Sequence, residues 1–93
     1  MRKIERTSQF KRDYKRESKG QYRASLDADL LPVLQALADD CPLAARYRDH
    51  ALTGDWQPGR DCHIKPDLIL VYQKPDDETL LLLRLGSHSE LGM

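Results

Sequence analysis

The chain has 93 residues, 40% of them hydrophobic and 32% charged, which fits one globular domain spanning residues 1–93. The longest apolar stretches, Leu68 to Tyr72 and Leu80 to Leu83, fall far short of the roughly 18 residues of a membrane span. No apolar segment follows the basic start Arg2-Lys3 either, so neither anchor nor secretory leader is expected and the chain is assigned to the cytoplasm. Fifteen basic residues balance fifteen acidic ones, yet residues 1–23 hold nine basic side chains against three acidic, a net +6 offset by −6 in the rest. Such asymmetry suits a polyanionic partner, because local potential rather than net charge steers association.

Arg2 to Arg6 is expected as a short strand with Ile4 turned inward. Ser8 is the expected N-cap of a first helix, in which Phe10 and Tyr14 stand at i, i+4 and Lys11, Lys15 and Lys19 form a second such row. That helix is amphipathic with a basic outer face, and Gly20 ends it. Leu26, Leu30, Val33, Leu34 and Leu37 then recur on one helical stripe running to about Ala38, with Asp27 and Asp29 near its positive end. Pro32 requires either a first-turn position or a bend. The stretch from Leu43 to Thr53 has no clear period and reads as a long ordered loop.

Asp55 to Ile64, Leu68 to Gln73 and Thr79 to Leu85 read as strands, separated by the turn sequences Lys65-Pro66-Asp67 and Lys74-Pro75-Asp76-Asp77. Short connections make them an antiparallel meander. Helices first and strands after define an α+β class, with two N-terminal helices packed on one face of a small, mainly antiparallel sheet.

All three histidines lie in the strand-rich half: His50 in the loop, His63 at a strand end, His88 just past the last strand. Strand alternation puts Asp61 and His63 on one face and Cys62 on the other. Arg84 and His88 flank Gly86-Ser87, read as a flexible pair that brings both to one rim. Imidazole titrates near neutral pH and moves protons in either direction, so histidines with a carboxylate and a guanidinium suit phosphodiester cleavage without a metal. The bland alternative is that each histidine is an ordinary surface residue. Structural zinc is not expected, since no C-x-x-C or H-E-x-x-H occurs and Cys62 and His63 point apart. Both cysteines read as plain buried residues. Neither a dinucleotide nor a phosphate-loop fingerprint is present, and no cofactor is expected.

Three segments together carry a family resemblance: Asp49-His50-Ala51-Leu52-Thr53-Gly54-Asp55-Trp56, Arg60-Asp61-Cys62-His63-Ile64-Lys65-Pro66-Asp67, and Arg84-Leu85-Gly86-Ser87-His88. They resemble the YafQ family of the RelE/ParE superfamily, toxins of bacterial type II toxin-antitoxin systems, over nearly the whole chain. The resemblance implies a RelE-like fold and a ribosome-dependent endoribonuclease that cuts messenger RNA in the A site. It implies His50, His63, Asp67, Arg84 and His88 as the cleavage residues. Within it, His88 is the candidate general acid, Asp67 or His50 the base, and His63 an orienting group. Lys11, Arg12, Lys15, Arg16, Lys19 and Arg60 become candidate contacts to RNA phosphates of the ribosome and message.

The implied partners are the ribosome with its message and a cognate antitoxin, a small dimeric DNA-binding protein. Operator DNA would be reached only through the toxin-antitoxin complex, and no membrane is involved. Leu68 and Gly92 stand where relatives often carry aromatics that stack on substrate. Both alternating residue sets of the strands Leu68 to Tyr72 and Leu80 to Leu83 are apolar although two helices cover one face, which predicts an apolar outer face covered by the antitoxin. Two other functions share such a fold: a gyrase-binding toxin and a catalytically weak module that binds antitoxin.

Overall fold

The computed structural model describes residues 1–93. In chain order its elements are β1 (Lys3–Arg6), α1 (Ser8–Glu17), α2 (Leu26–Ala38), β2 (His50–Ala51), β3 (Arg60–Lys65), β4 (Leu68–Gln73), β5 (Thr79–Gly86) and α3 (His88–Leu91), with short 3₁₀ turns at Ala45–Tyr47 and Gly54–Trp56. One sheet runs in the order β1-β5-β4-β3-β2. The expected meander is β3-β4-β5, and β1 lies parallel to β5 while the other neighbours are antiparallel. The strand expected from Asp55 to Ile64 starts at Arg60, as β3, because residues 54–56 turn and the chain passes through a cis Gln57-Pro58 bond.

Thr7, not Ser8, caps α1. Its Oγ1 accepts the Phe10 N–H at 3.1 Å and lies 3.0 and 3.1 Å from the Leu82 and Leu83 carbonyls, so the cap also fastens the helix to β5. The inward stripe of α1 is Phe10, Asp13 and Glu17, one aromatic and two acids. Along α2 the buried stripe is the expected one, and Pro32 falls seven residues in, on the exposed side, where solvent can reach the carbonyl its missing N–H would have paired. Ile4 does not turn inward: it is 39% exposed, because β1 is the edge strand and all four of its residues remain uncovered.

Phe10 and the α2 stripe pack on Cys62, Leu68, Leu70, Tyr72, Leu80, Leu82 and Leu85 to form the main core. The opposite face carries a second small core of Ile69, Val71 and Leu91, bordered by Leu52, Trp56 and Leu83. Both sets of β4 residues are thus buried within the chain, Ile69 and Val71 at 1% and 0% exposure. The apolar outer face expected for an antitoxin is therefore already occupied. Each such side chain contributes about 1.5–3 kcal/mol of burial, which explains why α3 and the 52–56 turn fold back over it. Leu68 is fully buried on the helix side, away from any substrate, so its place in the motif is a packing matter.

α3 starts with a reciprocal cap: Ser87 Oγ accepts the Glu90 N–H at 3.1 Å and Glu90 Oε1 accepts the Ser87 N–H at 2.8 Å. Gly92 closes it at φ +72. The Gly86-Ser87 pair is consequently fastened rather than flexible. Gly86 is needed for close approach, since a Cβ there would sit 2.7 Å from Arg16 Nη2 and 3.2 Å from Glu90 Oε1. Cys62 is buried, and burial with Asp49 and Asp61 nearby pushes its thiol up to about 12. Cys41 is exposed, contrary to expectation, because it lies beyond the end of α2 after Asp40 turns left-handed at φ +56.

Candidate active site

Strand register assembles the site. His50 pairs with Asp61 across β2 and β3, while Asp61 pairs with Val71 and His63 with Ile69 across β3 and β4. Paired residues share a face, so His50, Asp61 and His63 stand on the side away from α1 and α2, with Cys62 behind them. The β3-β4 turn presents Asp67 to the start of α3. There its Oδ1 accepts the His88 backbone N–H at 2.9 Å and lies 2.6 Å from His88 Nδ1. The His63 and His88 rings stand 5.5 Å apart. Three histidines separated by up to 38 positions in the chain therefore form one band with two carboxylates.

The hydrogen bonds determine which ring nitrogens are available. His50 Nδ1 lies 2.7 Å from the Arg48 carbonyl, which can only accept, so Nδ1 carries the proton and Nε2 offers its lone pair. Asp61 Oδ1 is 3.0 Å from the same Nδ1, placed to stabilise the ring once it gains a second proton. His88 Nδ1 likewise faces a carboxylate. The His88 backbone N–H, then its imidazole, hold Asp67 below the usual carboxylate range, so Asp67 is ionised and acts as acceptor. Both pairs leave Nε2 as the working atom.

Asp61 is 5% exposed and Oδ1 accepts no well-formed hydrogen bond. Burial raises its pKa against the opposing pull of His50 and His63. The folded state then binds more protons than the unfolded chain just above pH 3.8, and stability falls as pH rises through that window. At neutral pH the buried carboxylate is a net cost. Asp61→Asn is expected to leave thermal stability unchanged or raise it by about 1 kcal/mol while lowering activity. A clear fall in Tm would show that the charge is structural.

Arg84 pairs with Val71, the partner of Asp61, and so stands on the same face as the histidine band, with its guanidinium engaged at the rim by Asp13. Its Nε lies 2.6 Å from Asp13 Oδ2 and its Nη2 3.3 Å from Oδ1, toward α1; Nη1 has no partner in the chain. Asp13 also accepts the Leu85 N–H at 3.0 Å, closing the β5 edge where β1 no longer covers it. Arg16, expected on the RNA-facing side of α1, stays exposed but spends its guanidinium within the chain: its Nη1 is 3.0 Å from Asp13, its Nη2 donates to the Leu85 carbonyl at 2.9 Å, and its Nε meets Glu17 and Glu90. Arg60 lies on the helix side with Tyr72. Its Nε and the Tyr72 hydroxyl donate to Asp49 Oδ1 at 3.3 and 2.5 Å, pinning the loop that carries His50. Lys11, Arg12, Lys15 and Lys19 are exposed.

Asp61 and Asp13 are the residues that the candidate set omits. Strand alternation placed Asp61 beside His63, and Asp13 falls on the stripe of Phe10 and Glu17 at i, i+3, i+7, where a salt partner must exist.

Two helices on one face of a five-stranded sheet, with an imidazole-carboxylate band on the other, define a RelE-like α+β toxin fold. A family profile described as the bacterial toxin of type II toxin-antitoxin systems, YafQ, matches residues 2–93, and the chain belongs to that family. The mRNA interferase toxin YafQ of Escherichia coli K12 is 36% identical over 90 residues, covering 95% of this chain and 97% of the relative. The crystal structure of YafQ from E. coli BL21(DE3) is 35% identical with a TM-score of 0.83, covering 98% of both chains. In the E. coli DinJ-YafQ toxin-antitoxin complex the matching chain is 36% identical with a TM-score of 0.81, covering 97% of this chain and 96% of that one.

Proposed function

We propose that this toxin is an endoribonuclease that cuts messenger RNA in the ribosomal A site and so stops translation. The observation that carries this reading is the pair of oriented imidazole-carboxylate dyads, His50-Asp61 and His88-Asp67, on either side of His63. In the reaction, His50 Nε2 takes the proton of a ribose 2′-OH and that oxygen attacks the adjacent phosphorus. His88 Nε2–H then protonates the departing 5′-oxygen, giving a 2′,3′-cyclic phosphate and a 5′-hydroxyl. His63, between the two, donates to a non-bridging oxygen, and Arg84 adds charge at the rim through Nη1. Asp67, engaged by His88, is an orienting group and not the base.

General acid-base help contributes about 10²–10⁴-fold, so positioning by the ribosome supplies much of the remainder. Lys11, Arg12, Lys15 and Lys19 contact ribosomal RNA phosphates, and the whole chain acts as one domain in the cytoplasm. Kinship with a toxin named as an mRNA interferase, and with one solved in complex with DinJ, supports both the reaction and a partner antitoxin; the partner proposed for this chain is a small dimeric DNA-binding protein. That partner would carry the pair to operator DNA. No helix is long and apolar enough to cross a membrane. A gyrase-binding toxin would have no use for the two dyads.

The test is cleavage of a ribosome-bound message with and without a 2′-deoxy sugar at the scissile position. The deoxy message should stay intact and the ribose one should yield a cyclic phosphate end; a 3′-hydroxyl end would overturn the mechanism. In the same assay, Lys11, Lys15 and Lys19 changed to Glu should weaken ribosome binding and flatten its salt dependence.

A further inference from the structure

Between α2, the turn at Ala45–Tyr47 and the end of β3 lies a pocket of about 470 Å³, and of its lining only His63 enters the mechanism above. Its walls are the 3₁₀ turn at Ala45–Tyr47 and the end of β3, and it is lined by Arg46, Tyr47, Arg48, His63, Lys65 and Asp29. Its volume lies within the range of small-ligand sites. Three cations against one carboxylate leave it positively charged. The Arg46 guanidinium lies 4.7 Å over the Tyr47 ring, and its Nη2 donates to the Tyr47 hydroxyl at 2.8 Å, making a flat, braced cationic surface. Lys65 reaches Asp29 of α2 at 2.6 Å and stands 5.8 Å from the Tyr22 ring centroid, which fixes the opposite wall.

Two features join this pocket to the reacting centre. His63 lines it while standing 5.5 Å from His88. Arg48 lines it too, and its carbonyl holds His50 Nδ1 at 2.7 Å. Arg48 is also held at φ +50, the left-handed region, which is strained for a non-glycine residue. Glycine would make that turn without strain, so a turn alone does not account for the guanidinium.

We infer that this pocket is a nucleotide subsite for the RNA residue adjoining the scissile phosphate, with the base stacked on the Arg46-Tyr47 surface and the phosphate held by Arg48 and Lys65. Unpaired RNA bases are recognised in this way, by stacking on aromatic rings and guanidinium planes, and arginine is matched to phosphate geometry. The subsite deepens the endoribonuclease reading and rests on it. It places the substrate before the histidines act, and it gives the toxin a means of favouring some cleavage positions over others.

Arg48→Gly and Arg46→Ala test it, since both side chains are exposed and neither substitution opens the core. Thermal unfolding should show Arg48→Gly as stable as the parent or more so. On ribosome-bound message each variant should raise KM about tenfold with kcat within twofold, and the mapped cleavage positions should broaden. In parallel, an uncleavable RNA oligonucleotide with one 2′-deoxy sugar should shift the backbone amides of Arg46, Tyr47, Arg48 and Lys65 in the unmodified toxin, and inorganic phosphate alone should shift only Arg48 and Lys65. Parent-like KM and cleavage positions in both variants, or RNA shifts confined to the histidine band, would overturn the subsite. Should the unmodified toxin cut nothing, the endoribonuclease reading fails, and the amide shifts alone decide the pocket.

Discussion

His88→Ala is expected to lower cleavage by about 10²–10⁴-fold in single-turnover measurements, with ribosome binding and folding kept. The side chain is half exposed, its ring bonds only Asp67, and the cap of α3 is made by Ser87 and Glu90. Removing it therefore costs little stability, within about 0.5 kcal/mol as for other surface changes. What it removes is the proton donor to the leaving oxygen. Asp67→Asn should be milder, because an amide oxygen still accepts from Nδ1 but no longer favours the imidazolium. The His88 N–H and imidazole hold the Asp67 carboxyl below its ordinary value, so Asp67 is ionised at neutral pH. Less than a threefold loss in His88→Ala would remove His88 from the reaction.

Asp13→Ala is expected to be the most destabilising single change, by about 3–5 kcal/mol in urea unfolding. Asp13 is 3% exposed and binds Arg84, Arg16 and the Leu85 N–H together. Truncation leaves the half-buried Arg84 guanidinium without its carboxylate and the Leu85 strand-edge N–H without an acceptor, which is costly. Against a total stability of about 5–15 kcal/mol, such a loss leaves a marginal fold. Burial alone would raise the Asp13 carboxyl, but the Arg84 hydrogen bond, the Leu85 N–H and the two guanidinium charges outweigh it and bring the net value below 3.8. A depressed folded value contributes stability that is present above about pH 4 and is lost as pH falls through the folded value. The variant should consequently show a flatter loss of stability on acidification than the parent. Equal slopes, or a cost under about 1 kcal/mol, would show that Arg84 finds another partner.

Features governed by near neighbours along the chain were legible in the residues. The α2 stripe from Leu26 to Leu37, the three meander strands and the shared face of Asp61 and His63 all follow from helical and strand periods, which relate positions only a few residues apart. The motif segments around His50, His63 and His88 likewise identified the family before any contact was known.

Other features depended on which distant segment came to rest where. The hydroxyls of Thr7 and Ser8 are equivalent cap candidates, and the β5 carbonyls that Thr7 meets, 75 and 76 positions on, accompany its capping of the Phe10 N–H. Asp13 and Arg84, 71 positions apart, each look like surface charges until α1 lies along the free end of β5. The apolar alternation of β4 implied two covered faces without saying what covers the second, and α3 with the 52–56 turn does so because burying Ile69 and Val71 outweighs the cost of ordering a short tail. By itself the sequence determined the local elements and the chemical type of the band; tertiary packing alone decided the partners of its charges, since hydrophobic burial is non-directional and only the assembled sheet gives each ionic group a defined neighbour.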